Sequence, residues 1–339
     1  MPLRAKVFVL ASLTAFASHA QEVAGPSPAV ADAPPAIADS APLPGVDPLP
    51  AIPTPPLAID DLAEIIVEAP EPRYVAPTLR DRIGRVWAPV YINGKGPFRL
   101  VLDTGATGSA VVQSVATRLG AQTAGQLRLI GATGSALVSA IRVDSIEVGD
   151  LLLGQRNVAI VADVFGGAEG VLGADGLIDK RIVIDFKNDA ISIRRSKGTR
   201  APPGFSRVPV KIRGGHLLMF EVQLAGVRTK AMLDTGAQAT IGNNSLREAL
   251  ARRARERVAS RIIGVTLDEQ AGETLVTPPV DIADITIRGM RVTFGDIHIF
   301  DAFKMNKEPA LLIGMDIIGL LETLVIDYGR RELQMRPRA

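Results

Sequence analysis

The sequence predicts a mostly β protein built twice over, with two lobes of one design in a single chain related by an internal pseudo-twofold axis. Three observations carry this reading. Leu100-Val101-Leu102-Asp103-Thr104-Gly105-Ala106 recurs in the second half as Ala231-Met232-Leu233-Asp234-Thr235-Gly236-Ala237, 131 residues on, and such internal self-similarity marks a repeated unit. Other landmarks recur in the same order. Ile130-Gly131 answers to Ile263-Gly264, Val171-Leu172-Gly173-Ala174-Asp175 to Leu312-Ile313-Gly314-Met315-Asp316, and Ile182-Val183-Ile184-Asp185-Phe186 to Leu324-Val325-Ile326-Asp327-Tyr328. Both halves consist mainly of short apolar runs punctuated by Gly, Pro and Asn, the pattern of strands and turns.

In chain order, residues 1–20 read as a secretory signal. Arg4 and Lys6 supply the basic region, Val7 to Ala17 the apolar stretch and Ser18-His19-Ala20 the cleavage site. The expectation is a periplasmic or secreted protein whose mature chain begins near Gln21 and which makes no stable membrane insertion. Residues 21–72 hold 13 of the 24 prolines and nine acidic residues, with no Lys or Arg, and so predict an extended linker. Within it, Ile59 to Glu68 is amphipathic enough for a short helix or an added strand, and a lead-in, a propeptide and a docking segment remain open.

Residues 73–197 form the first predicted lobe and 198–339 the second, joined by a Gly/Pro-rich connector over 196–206. In the first, Val90-Tyr91-Ile92, the turn at Asn93 to Pro97 and Phe98 to Leu102 make a hairpin whose second strand delivers Asp103. Phe220 to Leu224, a turn at Ala225-Gly226 and Thr229 to Leu233 do the same for Asp234. A helix follows each aspartate: Val111 to Leu119, stopped by Gly120, and Ser245 to Val258, capped by Asn243, Asn244 or Ser245. A last hairpin, through Ile191-Ser192-Ile193 and through Leu333-Gln334-Met335, closes each lobe.

Composition narrows the chemistry. The chain of 339 residues is 47% hydrophobic but has only 10 Phe, 3 Tyr and 1 Trp, so Val, Ile, Leu and Ala must fill its core. Without cysteine there is no disulfide, thiolate metal site or cysteine nucleophile. His19, His216 and His298 lie far apart, which argues against a histidine metal site or a Ser-His-Asp triad. Beyond the linker there are 36 basic and 27 acidic residues. Their densest basic run, Arg247 to Arg261, reads as a solvated helix face, because no aromatics are interleaved as nucleic-acid binding would need.

One Asp-Thr-Gly would be an ordinary turn. Two in equivalent places of a duplicated fold predict that the pseudo-twofold brings Asp103 and Asp234 face to face. Two carboxyls a few ångströms apart cannot both ionise cheaply and hold one proton between them, so one serves as base toward a water and the other as acid toward a carbonyl.

On these residues the chain resembles the retropepsin-like aspartic proteases, in the form of bacterial periplasmic members with two β-barrel lobes fused in one chain, over nearly all of residues 85 to 337. The resemblance implies that Asp103 and Asp234 are catalytic, that Thr104 and Thr235 tie the two loops together, and that Gly105 and Gly236 present carbonyls to substrate backbone. It implies that Gly173 and Gly314 lie on strands beneath those loops. It also implies a flap in each lobe, placed at Leu129 to Ala136 with Ile130, Gly131 and Gly134, and at Ile262 to Gly272 with Ile263 and Gly264. The activity implied is endopeptidase action on extended polypeptide, without metal, cofactor or nucleic acid, by a monomer that is its own pseudo-dimer.

The chain also departs from the family pattern. Retroviral members usually pair an acidic residue after Asp-Thr-Gly-Ala with an arginine after the later glycine, and here those positions are Thr107 with Ala174 and Gln238 with Met315. Asp185 and Asp327, set in apolar strands before turns, read as structural. Ala106 and Ala237 stand where pepsin-like relatives carry a hydroxyl that donates to the carboxylate, so the pair is expected to keep its shared proton to higher pH, with a mildly acidic to near-neutral optimum. The alternatives are an inactive binding or scaffold protein on the same fold, and an enzyme completed by pairing two chains.

Overall fold

The computed structural model describes residues 7–9, 13–17, 74–77, 79–80 and, apart from 149–150, 176, 215, 252–254 and 265–266, all of 85–338. The predicted linker with Ile59 to Glu68, and the cleavage site at Ser18-His19-Ala20, lie outside the described residues.

Each lobe begins with the expected hairpin. Val86–Ile92 pairs with Lys95–Leu102 and Leu217–Leu224 with Val227–Leu233. The connecting turns, Asn93-Gly94 and Ala225-Gly226, have positive φ at both residues, the left-handed geometry that matches a two-residue turn to the twist of its strands. A third strand, Gly170–Leu172 or Ala310–Ile313, runs parallel to the aspartate-bearing strand. A short strand after each aspartate, Ala110–Val112 or Ile241–Gly242, packs antiparallel to that third strand. Strand order is the same in the two lobes, from the flap hairpin through these central strands to a small outer hairpin. The duplication read in sequence is therefore a duplication of topology.

The helices are shorter than the sequence suggests. The first is Gln113–Leu119, ended by Gly120 at φ 61°, while Val111 and Val112 belong to a strand. The second is Asn244–Leu250, with Asn243 Oδ1 accepting from Leu246 N–H at 2.9 Å as its cap. The expected continuation to Val258 is wrong: Arg255–Gly264 is a strand. Ala259 to Ile262 alternates exposed and buried residues, the period of a strand, and Ser260 hydrogen-bonds Thr274 on the neighbouring strand at 2.6 Å. Strand pairing overrides helix propensity here, and the basic run does not form one helix face.

The last hairpins do not close their lobes separately. Lys180–Asp185 and Leu321–Asp327 pair with each other, Val183 opposite Val325, so the two hairpins merge into one six-stranded sheet with Tyr74–Pro77 and Ser206–Pro209 at its edges. Both lobes are fastened to this common floor. The buried residues are mostly Val, Ile, Leu and Ala, as composition requires, although Phe98, Phe165, Phe294, Phe300 and Tyr328 are among the largest wholly enclosed side chains. Among the described residues no helix is long and apolar enough to cross a membrane.

Val7–Val9 adds in parallel to Thr123–Ile130, and Leu13–Ala17 adds antiparallel to Arg255–Gly264. These are the outer strands of the two flap hairpins, whose exposed edges carry unpaired backbone groups that accept another strand.

Candidate active site

The two Asp-Thr-Gly turns meet across the pseudo-twofold and hold each other reciprocally. Thr104 N–H donates to Thr235 Oγ1 at 3.1 Å, and Thr235 N–H to Thr104 Oγ1 at 3.2 Å. Each hydroxyl then donates onward into the opposite lobe, Thr104 to Leu233 O at 3.1 Å and Thr235 to Leu102 O at 2.6 Å. All four threonine bonds are buried. Each turn is pinned from below as well, with Asp103 N–H on Leu172 O and Asp234 N–H on Ile313 O, both at 3.0 Å.

The glycines at 173 and 314 follow from this packing. A Cβ on Gly173 would collide with the backbone of Gly108, and one on Gly314 with the backbone of Ala239. The strand can pass under the loop only where it has no side chain. The loops are further stitched by Ser109, which takes Gly173 N–H and donates to Asp175, and by Thr240, which takes Gly314 N–H and donates to Asp316 Oδ1 at 2.6 Å. Arg156 pairs with Asp175. Sequence reasoning used Asp175 and Asp316 as landmarks of the repeat without a role. The missing acid–arginine pairs at 107/174 and 238/315 are replaced by these hydroxyl–carboxylate links further along the loop.

Asp103 and Asp234 are completely buried. Asp103 Oδ1 accepts Gly105 N–H at 2.8 Å, and Asp234 Oδ1 accepts the N–H groups of Gly236 at 2.8 Å and Ala237 at 3.1 Å. Asp234 Oδ2 receives no ordinary donor among the described residues; the group facing it is the carboxyl of Asp103. Burial, then the charge of Asp103 and the hydrogen bond with it, push the Asp234 carboxyl well above the usual range, while the two amides pull it down. Gly236 is glycine for a local reason: a Cβ there would land on the Asp103 carboxylate. Two acceptors so placed need a proton between them.

The two stretches expected to be flaps include the ends of hairpins, Thr123–Ile130 with Ser135–Val143 and Arg255–Gly264 with Glu269–Val276. Gly131 N–H donates to Gly134 O at 2.8 Å to close the first tip. The tips meet: Gln270 Nε2 donates to Thr133 O at 3.3 Å, and Gly134 leaves room for the Asp268 carboxylate. Ile130, Ile263 and Gly264 are on the strand ends, opposite Val9, Thr14 and Leu13 in register, whereas the flap-to-flap contacts belong to Gly134, named from the sequence, and to Thr133, Asp268 and Gln270, which sequence reasoning did not single out.

Two further residues at the site were missed. Arg85 is buried with its guanidinium 5.7 Å from the centre of the Phe165 ring, and Nη1 reaches Gly236 O at 3.5 Å across the lobes. His216, likewise buried, has Nδ1 3.1 Å from Gly214 O and lies beside Gly105 and Asp103. The signal that could have found them is spacing, since the interval from Arg85 to Asp103 equals that from His216 to Asp234. Tyr328 is also buried, its phenol pushed up by burial and by the charge of Asp103. Among the described residues no cluster of three or more His, Cys, Asp or Glu is arranged to hold a metal.

A duplicated β fold that brings two Asp-Thr-Gly turns together across a pseudo-twofold defines the retropepsin-like class of aspartic protease. The aspartyl protease family profile matches residues 88–176 and 220–317, once in each lobe and over more than half of the chain. The chain belongs to that family, with two retropepsin-like lobes fused in one polypeptide. No curated protein matches the sequence.

Proposed function

We propose that the protein is an exported aspartic endopeptidase that cleaves extended polypeptides with a water activated by Asp103 and Asp234. The observation that carries this reading is the reciprocal threonine lock, which sets two buried carboxyls against each other so that they share a proton. A water between them gives a proton to the charged carboxylate as its oxygen adds to the peptide carbonyl carbon, and the shared proton passes to the carbonyl oxygen. The resulting gem-diol collapses with cleavage of the C–N bond as a proton moves to the amide nitrogen. The products are an acid and an amine, and the pair is left singly protonated. No covalent enzyme intermediate is needed.

Substrate lies extended beneath the flaps and gains main-chain hydrogen bonds as an added strand does. The strands Val7–Val9 and Leu13–Ala17, paired along the flap edges, support this mode of binding. In one molecule both aspartates are present, which supports a monomeric enzyme.

The test is cleavage of a denatured protein and a peptide library by the chain from Gln21 onward. Asp103→Asn and Asp234→Asn are each expected to lower the rate by roughly 10²–10⁴-fold or more with the fold intact by circular dichroism. Undiminished cleavage by either variant would remove the mechanism, and no cleavage by the unsubstituted chain would leave a scaffold protein.

A further inference from the structure

The two flaps repeat each other in sequence position but not in how their tips are held. Ala132, at the tip of the first, is wholly buried, and it is buried in the other lobe: it belongs to an apolar cluster with Ile262, Ile297, Ile299 and Phe300, all from the second repeat. Ile299 N–H donates to Ala132 O at 3.2 Å, and Gln270 Nε2 holds the next carbonyl, that of Thr133, at 3.3 Å. The same cluster takes in Ala237, the residue after the second Asp-Thr-Gly, so this seat for the flap tip adjoins the catalytic loop. At the second tip, by contrast, Leu267 is 58% exposed and Asp268 is exposed as well.

The difference has its source in chain length. Between Arg291–Phe294 and Ala310–Ile313 the second lobe has fifteen residues, 295–309, which include the short helix His298–Ala302 with Ile299 and Phe300 buried. Between the matching strands of the first lobe, Arg156–Val161 and Gly170–Leu172, there are eight residues, 162–169, and no helix. Among the described residues no backbone hydrogen bond runs from 267–268 to that shorter segment. Withdrawing the first tip exposes the Ala132 methyl and breaks the bond from Ile299, which together favour the seated flap by about 20-fold.

We infer that the first flap is a fixed wall of the substrate cleft, with Ala132 and Ile299 as its positioning residues, and that movement of the second flap alone admits substrate. The inference deepens the proteolytic reading and rests on it for its consequence in catalysis. The seating of Ala132 is a property of the folded chain.

The chain has no cysteine, so a thiol introduced by substitution is the only one present. In Ala132→Cys it is expected to react with a water-soluble thiol reagent about 20-fold more slowly than in Leu267→Cys, with or without a peptide substrate present. Similar rates in the two variants would overturn the inference. Hydrogen exchange reads the same seat without any substitution. Ile299 N–H lies in the first turn of its helix, where it has no partner within the helix, so its protection reports the flap; exchange as fast as at Leu267 would also overturn the inference.

In the activity arm the tips are tied together. A Cβ on Gly134 would stand 3.4 Å from Asp268 Cβ, near the roughly 3.5–4.5 Å that separates the Cβ atoms of bridged cysteines. Oxidised Gly134→Cys/Asp268→Cys is expected to lose cleavage and to regain it with reductant, because a second flap bound to a seated first one cannot part from it. Undiminished cleavage by the oxidised form would deny that the second flap moves. Ala132→Asp puts a charge in the apolar seat and depopulates the seated form, so KM should rise about tenfold while kcat changes little. An unchanged KM would deny that the seat positions the flap. No cleavage by the unsubstituted chain would instead count against the proteolytic reading and leave labelling and exchange to decide the seat.

Discussion

Replacing Thr235 by valine keeps the volume and removes one oxygen, but that oxygen serves two hydrogen bonds. It accepts Thr104 N–H and donates to Leu102 O. Both partners are buried backbone groups that no water replaces, and a buried polar group left unpaired costs about 1–3 kcal/mol. The expected destabilisation is therefore about 2–6 kcal/mol, a large share of the roughly 5–15 kcal/mol that holds a domain together. By pseudo-symmetry Thr104→Val removes the bonds to Leu233 O and Thr235 N–H and should cost about the same. Urea unfolding followed by tryptophan fluorescence measures both, and at a slope of about 3 kcal/mol/M the midpoint should drop by roughly 0.7–2 M. Catalysis should suffer more than binding, because the lock sets the carboxyl separation: kcat falls while KM changes little. The double variant should lose less than the sum, since either substitution alone loosens the contact that the other depends on. A loss below about 0.5 kcal/mol in either single variant, the size of an ordinary surface change, would refute the claim that these hydroxyls hold the lobes in register.

The other expectations concern the floor, pH and the linker. Arg181 and Asp327 face each other where the lobes join, 2.9 Å apart and buried, so Arg181→Met should cost about 3–5 kcal/mol by stranding a carboxylate. Adding Asp327→Leu should recover part of the loss in a melting experiment, and failure to recover any would deny the pairing. Burial raises the carboxyls of Asp234, Asp175 and Asp316 above their ordinary range. The native state then binds more protons than the unfolded chain between the ordinary carboxylate value and each raised pKa, and stability falls as pH climbs through that window. His216, lowered by burial, opposes this below its ordinary value of 6.5, one group against three. Melting temperature should thus rise from neutral toward mildly acid pH, and a steady fall over the same range would contradict it. Deleting residues 21–72 should leave a folded protein by circular dichroism, while extending the cut through Pro77 takes Tyr74–Pro77 off the edge of the common sheet and should lower the melting temperature further.

Much of this was legible because the chain is written twice. A single Asp-Thr-Gly is a turn, but its recurrence in the second half pointed to the pairing of the two aspartates, and the family resemblance it carried implied the flap hairpins and the two glycines that pass under the loops. What escaped the pattern were features set by contacts between the repeats. The last hairpins looked self-contained because each alternates properly within its own lobe, and nothing local announces that Val183 will lie against Val325. The helix expected through Val258 failed for a related reason, since Arg255 to Ile263 gains more by pairing with Glu269–Val276 than its helix formers gain by continuing. Arg85 and His216 went unnoticed because arginine and histidine share no motif, and only their common distance from the aspartates betrays equivalence.

That last pair also shows where the duplication has ceased to be a copy. The threonine lock must be symmetric, since each loop is the other's support and a change on one side strands a donor on the other. The residues around the lock carry no such constraint and have diverged: Arg85 against His216, an arginine-paired Asp175 against an Asp316 held by Thr240. A symmetric dyad could place its proton on either carboxyl. Hydrolysis needs one base and one acid, so an environment that differs between the halves is what gives each aspartate a role. In this chain the fixed charge of Arg85 lies against the loop of Asp234, whereas burial drives His216, at the matching place in the other lobe, toward its neutral form. The asymmetry lies outside the repeated motif, in the residues that reach across to it.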